Sequence, residues 1–187
     1  SPSGYFCNGG APPALEPGGN IATSFAAPGA LVEAELIDRI SVPPLGVNNN
    51  GGLVWVHLSE SVKMNGLLVG NVEIADASAT LSGFSKWQAF TIQSRPTESI
   101  CDNVPRGAFV VQGPYGDTSR LVINGTSIDL NGSLIVQTDT LPDGDKITHF
   151  IVIEGRADVT VLGRLYPMVA GQQMDVPYAG DDLTFPA

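Results

Sequence analysis

The strongest constraint on this chain is how its β-forming runs are punctuated. Runs of four to six such residues are cut by glycine, proline or an Asn-Gly pair, at roughly the 8–12-residue spacing of an all-β domain. Runs at 53–58, 108–112, 120–123, 126–130, 133–138, 148–153, 157–162 and 173–176 read this way. Further strands are expected at 67–74, 77–81, 87–93 and around 165–169. Side chains alternate along these runs. In LVWVHL, Trp55 and His57 share one face, and Val54, Val56 and Leu58 the other. One face of each strand then lies in a core. The expected fold is all-β, with short antiparallel strands forming a sandwich, a jelly roll or a small β-solenoid.

Composition removes the main alternatives. The 187 residues include 22 Gly and 14 Pro, and only 15% are charged. Amphipathic helices need charged and long polar side chains outside, so a helical bundle is excluded. The glycines have no three-residue period, which excludes collagen. With 43% apolar residues, global disorder is not expected.

The glycines also suggest an organisation. Residues 1–20 are Gly-, Pro- and Asn-rich and read as an arm. A first β region is expected over 21–100, and a second β domain over 101–187. The junction is placed at 94–107, with one continuous sandwich as the alternative. Residues 21–25 fit a strand. Residues 31–40 (LVEAELIDRI) carry a helical signal but also alternate, and strand is the reading adopted. Asn65-Gly66, Asn124-Gly125 and Asn131-Gly132 read as hairpin turns, since these residues supply positive φ. Glu154-Gly155 and Ala170-Gly171 read as turns too.

The net charge of −10 argues against nucleic acid, which needs clustered Lys and Arg, and against an anionic membrane surface. No apolar run is long enough for a transmembrane helix. The chain opens Ser1-Pro2-Ser3-Gly4 without Met, as expected after removal of a leader or from a tag remnant. Its two cysteines, Cys7 and Cys101, are expected to form one disulfide in an oxidising compartment. Closing so long a loop is worth roughly 4–5 kcal/mol in the simplest model. An extracellular or cell-surface location follows as the expectation.

Part of the second half resembles a known family. The residues are Gly132-Ser133, then 149–159 (HFIVIEGRADV), then 169–174 (VAGQQM). Their order resembles the FecR-like β domain of bacterial envelope proteins. Pro105-Arg106-Gly107 and Val110-Val111-Gln112-Gly113-Pro114 resemble a lead-in seen in secreted proteins of Chloroflexi-like filamentous bacteria. The resemblance covers about residues 107–178. It implies an extracytoplasmic, all-β, non-enzymatic scaffold in which Glu154-Gly155 and Ala170-Gly171 are turn positions. The transmembrane helix and cytoplasmic segment of FecR-type transducers are not present in this sequence.

Chemistry-bearing residues are sparse. His57 and His149 both fall inside expected strands, and no spacing places further ligands or a base partner beside them. No Gly-x-Ser-x-Gly elbow, dinucleotide fingerprint or Walker sequence occurs. Asp139, Asp143, Asp145 and the pair Asp181-Asp182 form acidic clusters. They read as solvated turns, with weak calcium binding as the alternative. Asn124-Gly125-Thr126 and Asn131-Gly132-Ser133 are formal glycosylation sequons that double as turns. Trp55, Trp87 and Tyr115, with Tyr166, are candidates to line a sugar-binding groove.

The expected function is therefore a structural protein without catalysis or cofactor. It would be a self-assembling subunit of an extracellular filament or surface layer, a homo-oligomer or homopolymer built by strand donation from the arm. The alternative is a monomeric carbohydrate- or protein-binding module.

Overall fold

The computed structural model describes residues 4–45, 51–58, 62–95 and 107–187. In chain order the strands are β1 (Gly4–Asn8), β2 (Ala14–Glu16), β3 (Leu31–Glu33), β4 (Arg39–Val42), β5 (Leu53–Leu58), β6 (Met64–Val69), β7 (Val72–Asp76) and β8 (Ala89–Ser94). They continue as β9 (Ala108–Gln112), β10 (Ser119–Ile123), β11 (Thr126–Thr140), β12 (Lys146–Val161), β13 (Arg164–Val169) and β14 (Gln173–Tyr178). One helical turn and a half, α1 (Asn20–Ser24), precedes β3. Strand accounts for 55% and helix for 7%, so the fold is all-β, a single curled sheet shaped as a half-barrel.

The order along the sheet is β2-β4-β7-β8-β10-β11-β9-β6-β5-β1-β3, with β12 on β11 and both β13 and β14 on β12. All ladders are antiparallel except β8–β10, which is parallel. The long hairpin β11–β12 joins two arms of the sheet, the first β2-β4-β7-β8-β10 and the second β9-β6-β5-β1-β3. Its first half in β11 pairs with β10, and its second half pairs with β9. Likewise β13 pairs with 156–161 of β12 and β14 with 146–151.

The hairpin bends where the two arms meet. Gly132 lies opposite Gly155, and the register shifts between Ser133 and Leu134, leaving Ile153 as an extra residue. That one residue exchanges the faces of β12. Thr148, Phe150 and Val152 are buried before it, and Ala157 and Val159 after it. Both glycines have positive φ, 138° and 71°. A Cβ on Gly132 would lie 2.0 Å from the Glu154 carbonyl oxygen, and one on Gly155 2.2 Å from that of Asn131. Only glycine permits the backbones to approach so closely.

The arms close on a shared core. Phe6 of β1 meets Trp87 edge-on at 5.1 Å, and Phe90 of β8 meets Phe109 of β9 at 5.5 Å. A buried polar cluster links them further. The Asn124 Nδ2 donates to the Ile92 carbonyl (3.1 Å) and the Thr148 hydroxyl (2.9 Å), while its Oδ1 accepts from the Ile92 N–H (2.7 Å). The Tyr178 hydroxyl donates to the Asn124 carbonyl at 2.6 Å. Burial holds its proton on above the usual tyrosine range.

Several expectations change. Residues 4–8 and 14–16, expected in a free arm, are strands; β1 lies between β5 and β3. Residues 21–25 contain the short helix instead of a strand. Residues 31–40 divide into β3, one 3-10 turn (Ala34–Leu36) and the start of β4. Residues 78–80 are also a 3-10 turn. The expected single strand at 67–74 is cut at Gly70-Asn71 into β6 and β7. Asn124-Gly125 is a two-residue hairpin turn, as expected, with φ of 49° and 68°. Asn131-Gly132 and Glu154-Gly155 are not turns but the paired bend inside β11 and β12. Asn65-Gly66 is also inside a strand, where a Cβ on Gly66 would lie 2.4 Å from the Phe109 ring. Most of the expected junction, residues 96–106, falls outside the described residues. The β6–β9 and β8–β10 ladders run across it.

The bend gives a direct test. Gly155→Ala should destabilise by about 3 kcal/mol or more, because the atom in the way is backbone. Gly144→Ala has positive φ but open space, and should cost only about 1–2 kcal/mol. Urea unfolding of the two variants checks the difference.

Candidate functional site

Cross-strand partners share a face of the sheet, so the registers define which residues lie side by side. On the outer face of the second arm one such row crosses eight strands, the first seven of them apolar. It runs Leu31, Cys7, Trp55, Leu67, Val110, Ile135 and Ile151, and ends at Gln173. Every member before Gln173 is apolar or a thiol. Leu31 is 60% and Trp55 46% exposed, and the others are half-buried. On one side lies a second apolar row, Leu53, Val69 and Ala108. On the other side lies an uncharged polar row, Tyr5, His57, Asn65, Gln112 and Ser133.

The centre of the face also lacks charge. No Asp, Glu, Lys or Arg occurs in β1, β5, β6 or β9. The outer face of the first arm is built differently. There Arg39 pairs with Glu16 (3.3 Å) and Glu73 (3.2 Å), Arg120 with Asp129 (2.8 Å), and Arg156 with Asp158. Such exposed pairs add little stability, but they are what a water-facing sheet normally carries. The chain thus has one hydrated sheet face and one dry one.

The sequence-derived candidates separate. Trp55 lies on the dry face. Trp87 is only 1% exposed and belongs to the core, with its Nε1 donating to the Ala34 carbonyl at 2.9 Å. It is therefore no part of a sugar groove. Tyr115 is fully exposed beside a cleft of about 180 Å³ on the convex side of the bend, lined also by Gln112, Asn131, Ser133 and Glu154. Tyr166 stands on β13, 40% exposed. The three proposed aromatics form no common groove. Cys7 is a free thiol in the apolar row, and Cys101 lies outside the described residues; no disulfide occurs among the described residues.

Each histidine has a polar side chain close to its Nδ1. The His57 Nδ1 is 2.7 Å from the Asn65 Oδ1, and its ring lies 5.1 Å from that of Tyr5. The His149 Nδ1 is 2.7 Å from the Asp175 Oδ1, which also accepts from the Gln173 Nε2 at 2.7 Å. The acidic turns close their own loops. Asp143 Oδ1 accepts from the Asp145 N–H (3.2 Å), Asp145 Oδ1 from that of Gly180 (2.8 Å), and Asp182 Oδ1 from that of Thr184 (2.8 Å). Among the described residues no three His, Cys, Asp or Glu side chains converge as metal ligands. No described helix is long and apolar enough to cross a membrane.

The dry face was missed at the sequence level because it is a cross-strand property. Its members come from seven separate strands, and each strand alone shows ordinary alternation. The absence of charge from 53–58, 64–69 and 108–112 was the available signal. Comparison with known proteins finds no matching family model, curated protein or solved structure.

The His149–Asp175 contact predicts a pH response. The hydrogen bond with His149 holds the Asp175 carboxyl below its ordinary range, against a smaller opposing effect of burial. A depressed carboxyl adds stability above its unfolded pKa, and that contribution is lost as pH falls through the folded value. Asp175→Asn should therefore lower the melting temperature at pH 7 by more than it does below about pH 3, near and beneath the unfolded carboxylate range. Thermal melts at the two pH values check the sign.

Proposed function

We propose that the protein is a non-enzymatic structural module of the cell surface or extracellular space that works by self-assembly. The observation that carries this reading is the dry outer face of the second arm. In a chain with a net charge of −10, an uncharged apolar band across seven strands is an interaction surface, since large exposed apolar patches mark contact sites. The FecR-like resemblance of residues 107–178 belongs to the same proposal, as an extracytoplasmic scaffold.

The route differs from strand donation. The sheet path ends on the three-residue strands β2 and β3, too short to template a partner strand. The β12–β13 loop has two residues, Leu162 and Gly163, so Val161 and Arg164 form its closing hydrogen-bonded pair. Alternation then directs the backbone of Pro167 away from β12, toward the open edge, where it offers no donor. Pro177 occupies the equivalent position on β14, and its carbonyl accepts from the Ala187 N–H at 2.9 Å. The backbone edges are thus blunted, and side-chain packing between faces supports assembly better.

A second reading rests on Tyr115. Its free ring beside Gln112, Asn131 and Glu154 suits stacking and hydrogen bonding to a neutral sugar. Under the first reading, sedimentation and electron microscopy of the purified chain should show particles larger than a 19.5 kDa monomer. A monomer at every concentration, with glycan-array binding abolished by Tyr115→Ala, would replace it with the second.

A further inference from the structure

We infer that the first step of assembly is a closed, two-fold dimer in which the dry faces of two copies of this chain pack against each other. This inference rests on the self-assembly reading and adds its partner, its surface and its stoichiometry. Three observations select a second copy as the occupant.

The first is charge. Two chains of net charge −10 repel each other, and they can approach closely only through a region free of carboxylates. The strands β1, β5, β6 and β9 provide that region. A charged partner would have to bury its own charges against this face unpaired. An anionic membrane would require a basic rim, whereas Glu33, Glu154 and Asp175 stand at the margins.

The second is size. The apolar row is roughly 29 Å long at about 4.8 Å per strand, and with the two shorter rows about 7 Å to either side the footprint is roughly 500 Å². That is over half of the ~800 Å² per partner of a stable interface. The third is self-similarity. The face presents an apolar band with an uncharged polar row beside it, so a copy of itself can match apolar to apolar without leaving a charge unpaired. Face-to-face packing of two sheets is also an established way to bury such a surface.

A two-fold contact uses the same patch on both copies and therefore closes. A dimer formed this way cannot extend through the same face. Longer assemblies need a second contact, and the exposed apolar tip at Leu162 and Leu165 lies on the other arm, clear of the dry face.

Leu67 and Val110 occupy the middle of the row, so they are the substitutions to make. Analytical ultracentrifugation should give a dimer for the wild-type chain, strengthened as NaCl is raised. Leu67→Lys and Val110→Lys should weaken dimerisation by about 30-fold or more. Leu165→Lys, outside the face, should leave the dimer intact. Tryptophan emission provides an independent readout that needs no variant. Trp87 is buried in the monomer and Trp55 is not, so a concentration-dependent blue shift with loss of quenching by acrylamide reports burial of Trp55. If the wild-type chain assembles but Leu67→Lys and Val110→Lys do so equally well, with no Trp55 shift, this interface is wrong while the self-assembly reading stands. If the wild-type chain stays monomeric at high micromolar concentration, both fail. A monomer whose Trp55 emission shifts only with added zwitterionic vesicles also overturns the dimer and assigns the face to lipid.

Discussion

Everything in this fold turns on the contact between Gly132 and Gly155. These two residues allow β11 and β12 to bend at the same level, and the connection between β13 and β14 follows. There the Ala170 N–H donates to the Gly155 carbonyl (3.1 Å) and the Gly171 N–H to that of Val152 (2.8 Å). Without the bend, β10 and β9 would be collinear neighbours of one flat strand, and the core between the arms would not exist. The extra residue Ile153 is equally necessary. Side chains alternate with a period of two, so a continuous β12 would have aimed either Phe150 and Val152 or Ala157 and Val159 at water. One inserted residue places both sets inside.

The bend brings the arms together but does not pair their strands everywhere. Side chains fill the gap where the main-chain ladder ends. Asn124 bonds both the N–H and the carbonyl of Ile92, doing for β8 what a neighbouring strand would do. Two residues further on, the Ser94 N–H donates to the Thr138 hydroxyl at 2.6 Å, and the Thr138 N–H donates to the Ser94 hydroxyl at 3.1 Å. These buried groups fix β8 against both β10 and β11, since a slipped register would leave each of them without a partner.

The strand runs of the second half and the Asn124-Gly125 hairpin were legible because they depend on local alternation and local φ. The bend was not. A glycine needed for a turn and a glycine needed for close cross-strand approach look the same in one dimension. Asn131-Gly132 and Glu154-Gly155 therefore read as two hairpins when they are one contact. Gly66 misled for a related reason, the ring of Phe109 lying where its Cβ would be. Trp87 read as a surface aromatic because the neighbours that bury it, Phe6 and Ala34, are more than fifty residues away in sequence. The N-terminal segment read as an arm because Gly and Pro dominate it, although Gly4–Asn8 alternates as a strand.

The contrast between the two outer faces is more informative than either alone. Both are made by short strands of one chain, under one composition and one net charge. On the first arm, Arg39 and Arg120 make cross-strand ion pairs with Glu16, Glu73 and Asp129, and the exposed apolar residues are confined to the β12–β13 hairpin. On the second, equivalent positions hold Leu, Trp, Val and Ile. Shortage of charged residues cannot explain this, because the chain has enough to lace one face with ion pairs. Nor does folding demand it, since the core already takes the inward side of each strand. An apolar face in water adds nothing to the monomer beyond what Thr or Gln would, and it raises the risk of indiscriminate association. The blunted backbone edges limit that risk to one surface. Pro167 and Pro177 blunt the backbone edges on which they lie, so the two ways a sheet can associate are separated: the backbone route is obstructed there, and the dry face presents side chains alone.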